Sequence, residues 1–190
     1  MDREPRNAEA VASKQGVAFL VIDVQRGLFS KSTSVYRAEQ MLENINALIA
    51  RARRAGAVVV FIQHADKRTL VKGSEAWQLH PELHPVAGDR SIHKNHSSAF
   101  RETSLDQMLV EGKVGRVVVT GLVTHGCVKN ACQDALSMGY EVVLVSDGHS
   151  SYSKQAPKMI HKWHQKLAEA GVEIVPAHEI AFGQCGLEDA

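Results

Sequence analysis

Arg116-Val117-Val118-Val119-Thr120-Gly121-Leu122-Val123-Thr124-His125-Gly126-Cys127 is the stretch that decides the fold. It opens as a β-branched apolar run, the pattern of a strand buried on both faces. It passes through a short turn to a cysteine, and Cys127 to Gly139 then reads as a helix. A strand that feeds a helix through a tight turn is the repeating unit of a parallel α/β sheet. The thiol at that turn lies beside the unpaired N–H groups of a first helical turn, in a field that favours the thiolate. The same turn offers backbone donors for a developing oxyanion. A lone cysteine is also a common small core residue, and that reading stands beside the reactive one. Cys132, five residues on, points to another face and reads as core. Cys185 lies in a Gly-flanked tail with no evident partner.

Outward from this stretch, strand and helix signals alternate. Val17 to Val24 is a nearly continuous apolar run and reads as a buried strand. Tyr36 to Ala55 carries Met41, Leu42, Ile45, Leu48, Ile49 and Ala52 on one helical face, and Gly56 ends it. Ala57 to Ile62 and Ser91 to Lys94 read as strands. Leu105, Met108 and Leu109 mark a short helix capped by Thr103 or Ser104. Val117–Thr120 and Val142–Val145 are further strands. Lys158 to Ala170, with Met159, Trp163 and Leu167, is a helix closed by Gly171, and Val172 to Val175 is the last strand. The expected fold is a three-layer α-β-α, Rossmann-like domain. Its central six-stranded sheet is mainly parallel, with helices on both faces. Residues 1–15 read as a flexible arm and 16–190 as a single domain. The excursion from Ala65 to Arg90 is too long for a turn and reads as a lid, a binding loop or a contact surface.

The totals narrow the function. The 190 residues suit one core, and a formal net charge of +1 gives no argument for nucleic acid or an acidic membrane surface. No apolar run approaches a membrane span. The polar first 15 residues do not read as a signal or transit peptide. Three cysteines without a C-x-x-C motif suit a reducing cytoplasm.

Ligands of open α/β sheets bind at the carboxyl ends of the strands. Asp23 and Lys94 stand at two such ends, each costly to bury alone and each able to satisfy the other. Beside Cys127, the lysine can stabilise a thiolate and the aspartate can take the thiol proton. A purely structural ion pair beneath a buried cysteine fits the same spacing.

Three segments, in this order, resemble the isochorismatase-like cysteine hydrolases. They are Phe19-Leu20-Val21-Ile22-Asp23-Val24-Gln25, then Lys94 with Ser98-Ala99-Phe100, then Val119 to Val128 around Cys127. Tyr140-Glu141-Val142-Val143-Leu144-Val145-Ser146-Asp147 also fits, and the resemblance spans Gly16 to Phe182. It implies a catalytic triad of Asp23, Lys94 and Cys127. It also implies a cis peptide at Leu122–Val123, with the Val123 and Cys127 N–H groups forming an oxyanion hole. The implied chemistry is hydrolysis of a small amide, carbamoyl or ureido C–N bond through a thioester. A homo-oligomer, dimer or tetramer, is implied as well. No cofactor and no metal are expected. The metal-binding members of the family carry Asp-x-His after the second strand, and this chain reads Gln63-His64-Ala65-Asp66, in reversed order. His80, His84 or His93 could complete a ligand set with His64 and Asp66, which would make the chain a nicotinamidase-like, metal-assisted amidase. The segment Gly73 to Leu83 resembles the streptothricin-hydrolase-like branch. Phe29, Gln63, Trp77, His80 and Thr124 are the expected substrate contacts, with Trp77 and His80 at either the pocket wall or a subunit contact.

Three other readings compete. Vinyl-ether hydrolysis of isochorismate belongs to relatives that replace the cysteine. A non-catalytic small-molecule or partner-binding module draws on Gly121 to Gly126, but Cys127 stands where a phosphate loop needs lysine. A redox pair of Cys127 and Cys132 is disfavoured by their spacing along one helix.

Overall fold

The computed structural model describes residues 16–183. The arm expected over 1–15, Cys185, and the end of the domain assigned to 16–190 lie outside the described residues. Six strands form one sheet: β1 (Gly16–Ile22), β2 (Val58–His64), β3 (Arg90–Lys94), β4 (Val114–Leu122), β5 (Glu141–Ser150) and β6 (Glu173–Val175). Their order is β3-β2-β1-β4-β5-β6, and every pairing is parallel. The expected sheet is borne out, and is parallel throughout where the sequence suggested mainly parallel.

Helix α1 (Arg26–Phe29) follows β1, and α2 (Ala38–Arg54) precedes β2. The six apolar residues expected on one face of α2 are all buried, together with Val17, Phe19 and Val21 from β1. Gly56, at φ +71°, ends the helix in the left-handed conformation that glycine adopts at least cost. Helices α3 (Leu105–Glu111), α4 (Lys129–Ser137) and α5 (Ala156–Glu169) contribute residues to the other core. There Leu105, Leu109, Ala131, Cys132, Ala135 and Leu167 meet Ala18, Leu20 and Ile22. Alternate residues of β1 therefore serve two cores, as a sheet covered on both sides requires. Cys132 is fully buried in this packing, as expected.

Three boundaries differ from the sequence reading in a way that matters. β4 runs on to Leu122 and β5 to Ser150, well past their apolar runs. Cys127 does not open an α-helix: Thr124–Val128 forms a wide π-type turn, broken at Gly126 (φ −119°, ψ −111°), and α4 starts at Lys129. The reason is local, because the Gly126 and Val128 N–H groups both reach back to the Val123 carbonyl. Among the described residues, no helix is long and apolar enough to cross a membrane.

Candidate active site

The chain leaves β1 toward β2 and β3 on one side, and β4 leads to β5 and β6 on the other. The switch point therefore falls between β1 and β4, where parallel sheets open a crevice at their carboxyl ends. Asp23 follows β1, and the turn bearing Cys127 follows β4. The two strand ends approach closely at Gly121, where a Cβ would stand 2.0 Å from the Ile22 carbonyl oxygen. Only glycine fits there, at φ +114°. Asp23 itself has φ +52°, a left-handed conformation that aspartate tolerates better than most residues. The Leu122–Val123 peptide is cis.

Lys94 comes from two strands away. Neighbouring strands lie about 4.8 Å apart, so its long side chain must cross the end of β2 to reach the crevice. Its Nζ donates to Asp23 Oδ2 at 2.8 Å, to the His96 carbonyl at 3.3 Å and to Cys127 Sγ at 3.3 Å. All three ammonium protons thus have partners. The Lys94 side chain is 0% exposed and that of Asp23 2%, so each charge depends on the other. Asp23 Oδ1 is buried with no hydrogen-bond partner among the described residues. It is an acceptor with room for one proton.

Cys127 is partly buried, and its thiol is pushed up to about 12. Burial is the larger cause and the Asp23 charge the next, while Lys94 pulls the other way. This corrects the expectation of a thiolate favoured by a helix terminus. Cys127 is not at the start of a regular helix, and burial beside a carboxylate outweighs the dipole. The arrangement is a neutral thiol beside a carboxylate, with a cation touching both.

The long excursion is sewn to these same strand ends. The His80 N–H donates to the Val24 carbonyl at 2.9 Å, and Gln25 bridges to Leu79. Gln25, fully buried, donates to the His64 and Trp77 carbonyls and accepts from the His64 N–H. Gln63, an expected substrate contact, donates an amide N–H to the Trp77 carbonyl at 3.0 Å and so clamps the loop. Phe29 and His80 pack ring against ring at 4.3 Å, and Trp77 meets His93 edge-on at 4.9 Å. These aromatic pairs lie on the segments joined to β1 and β3. Thr124, another expected substrate contact, is fully buried, and its hydroxyl bonds His149 Nδ1 and the Ser150 carbonyl, which holds the turn. His125 is exposed at the turn.

The residues named for a metal do not converge. Both carboxylate oxygens of Asp66 are engaged in its own loop, by the N–H groups of Arg68, Thr69 and Leu70 and by the Thr69 hydroxyl. His80 and His93 pack in separate aromatic pairs. No group of three or more metal-ligating side chains forms among the described residues. His64, on β2 in register with Lys94, is held below the usual histidine range by burial and then by the Lys94 charge.

Residues 17–175 match the isochorismatase domain, and the chain belongs to the isochorismatase family. A streptothricin hydrolase of Streptomyces noursei is 33% identical over 137 residues, which cover 71% of this chain and 50% of that protein. A ureidoacrylate amidohydrolase, RutB, of Cronobacter sakazakii (strain ATCC BAA-894) is 26% identical over 168 residues, covering 68% of this chain and 72% of that protein. The crystal structure of an isochorismatase-like hydrolase from Alkaliphilus metalliredigens matches with a TM-score of 0.78 at 27% identity, over 89% of this chain and 96% of that one. The chain spans 50% to 58% of the length of the streptothricin hydrolases it matches.

Proposed function

We propose that this chain is a cysteine hydrolase that cleaves a C–N bond of a small amide, carbamoyl or ureido substrate. The observation that carries the reading is the Lys94 ammonium bridging Asp23 and Cys127, with the second Asp23 oxygen left open. Asp23 takes the thiol proton as Sγ attacks the carbonyl carbon. The carbonyl oxygen becomes an oxyanion facing the Val123 and Cys127 N–H groups. Asp23 then returns the proton to the leaving nitrogen, and ammonia or an amine departs. Water loses a proton to the same carboxylate, attacks the thioester and releases the acid, and the thiol is restored. Lys94 keeps its protons throughout and steadies whichever neighbour carries the negative charge. The Phe29–His80 and Trp77–His93 pairs support a mostly apolar wall with few polar contacts, which suits a small substrate.

Ammonia release across a panel of small amides and ureido acids tests this reading. Wild type is compared with Cys127→Ala, with and without chelator. Release by the wild type, unaffected by chelator and abolished in the variant, is the expected result. Turnover retained in Cys127→Ala would sink the scheme, and chelator-sensitive release would favour a metal-assisted amidase.

A further inference from the structure

His149 is a buried histidine that the reaction scheme leaves unused. It is 3% exposed, near the end of β5. Its Nδ1 lies 2.8 Å from Thr124 Oγ1, and its Nε2 lies 2.8 Å from His164 Nε2 on α5. The Thr124 hydroxyl donates its one proton to the Ser150 carbonyl, at 3.0 Å. It can therefore only accept from His149, which puts the imidazole proton on Nδ1. Nε2 is then an acceptor, and His164 donates to it. Burial, and then His164, hold His149 down to about 3, so the ring is neutral and this polarity of bonds persists across the working pH range.

A chain of hydrogen bonds thus runs from α5 to Thr124, the first residue of the turn that carries Cys127. The turn has little regular helical support of its own, because Gly126 breaks it. An apolar side chain would fill a core position at lower cost than an imidazole that needs two partners. On the thiol-hydrolase reading above, we propose that His149 is a positioning residue. By holding Thr124 it sets the Thr124–Val128 turn so that the Cys127 N–H meets the oxyanion, a role distinct from stabilising the fold.

Asparagine can place its amide nitrogen, a donor, where histidine has Nδ1, and glutamine its amide oxygen, an acceptor, where histidine has Nε2. His149→Asn therefore keeps the bond to Thr124 and loses His164, and His149→Gln does the reverse. The probe is propionaldehyde, 13C-labelled at its carbonyl carbon. The Cys127 S–H adds across the C=O bond, so that an S–C bond forms and the proton passes to oxygen. The resulting hemithioacetal oxygen occupies the place of the oxyanion, and its Kd is read by NMR. Iodoacetamide alkylation of Cys127, followed by peptide mass spectrometry, reads the thiol without using that place. His149→Asn is expected to bind the aldehyde within about threefold of wild type and His149→Gln at least about tenfold more weakly. Alkylation rates are expected to agree within about threefold in all three proteins. Thr124→Ser and Thr124→Val form a second pair, with serine like wild type and valine like His149→Gln.

Equal aldehyde affinity in the Asn and Gln variants would overturn the proposal. So would equal weakening in both that tracks a lower melting temperature, since His149 would then serve only the fold. A wild type that neither binds the aldehyde nor alkylates at Cys127 would remove the thiol-hydrolase reading, and this inference with it.

Discussion

Asp23→Asn is expected to lower turnover by about 10⁴-fold, the upper end of what a positioned acid–base group supplies. The carboxylate serves both half-reactions: it takes the thiol proton, protonates the leaving nitrogen and then activates water. The amide can do none of these. The same substitution is expected to make Cys127 easier to ionise. The Asp23 charge is one of the causes that push the thiol up to about 12, and Lys94, which pulls it down, stays in place. Thiolate absorbance at 240 nm, taken as the difference from Cys127→Ala, checks this. Wild type should show no Cys127 thiolate below about pH 10, and Asp23→Asn should show it earlier. A purely structural ion pair would not give a thiol that ionises more readily together with a failed reaction. The sign for stability follows from the raised thiol. Its contribution is complete below the unfolded value of about 9 and is lost as pH rises toward 12.

Lys94→Met is expected to destabilise the chain by about 3–5 kcal/mol and to abolish turnover. The methionine fills most of the lysine volume, so packing is not the main loss. What remains is a carboxylate 2% exposed with its cation gone. Urea denaturation of the full-length chain reads the change as a lower midpoint at constant slope. The double variant Asp23→Asn, Lys94→Met removes both charges and is expected to recover most of that stability while staying inactive. Breaking a buried pair costs more than replacing it. A Lys94→Met protein as stable as wild type would mean that water reaches Asp23 and that the pair is not truly buried.

The alternation of strands and helices was legible because β1, β2, β4 and β5 are covered on both sides and show continuous apolar runs, whereas the edge strands β3 and β6 are short and partly exposed. The strand ends were less legible. β4 continues through Gly121 to Leu122 and β5 through Gly148 and His149 to Ser150, and glycine and polar residues there interrupt the apolar run. Asp23, Lys94 and Cys127 stood out because a carboxylate, an ammonium and a thiol at strand ends are either costly or reactive. Their contacts lie beyond what spacing can tell, since Lys94 meets Asp23 across 71 residues and Cys127 across 33. The neutral state of the thiol was missed for the same reason, because it depends on burial and on a carboxylate distant in sequence. Gln25 and Gln63 were unreadable as clamps on the Trp77 carbonyl. So was the link from Thr124 to His149, which lies beyond Val145, where β5 was taken to have ended.

Acid quenching of the enzyme during turnover, followed by mass spectrometry of the peptide that contains Cys127, tests the central claim most directly. The account predicts that the acyl part of the substrate is found on that peptide and that hydroxylamine removes it. Product forming at the full rate while Cys127 stays unmodified at every quench time, and is still formed by Cys127→Ala, would contradict it.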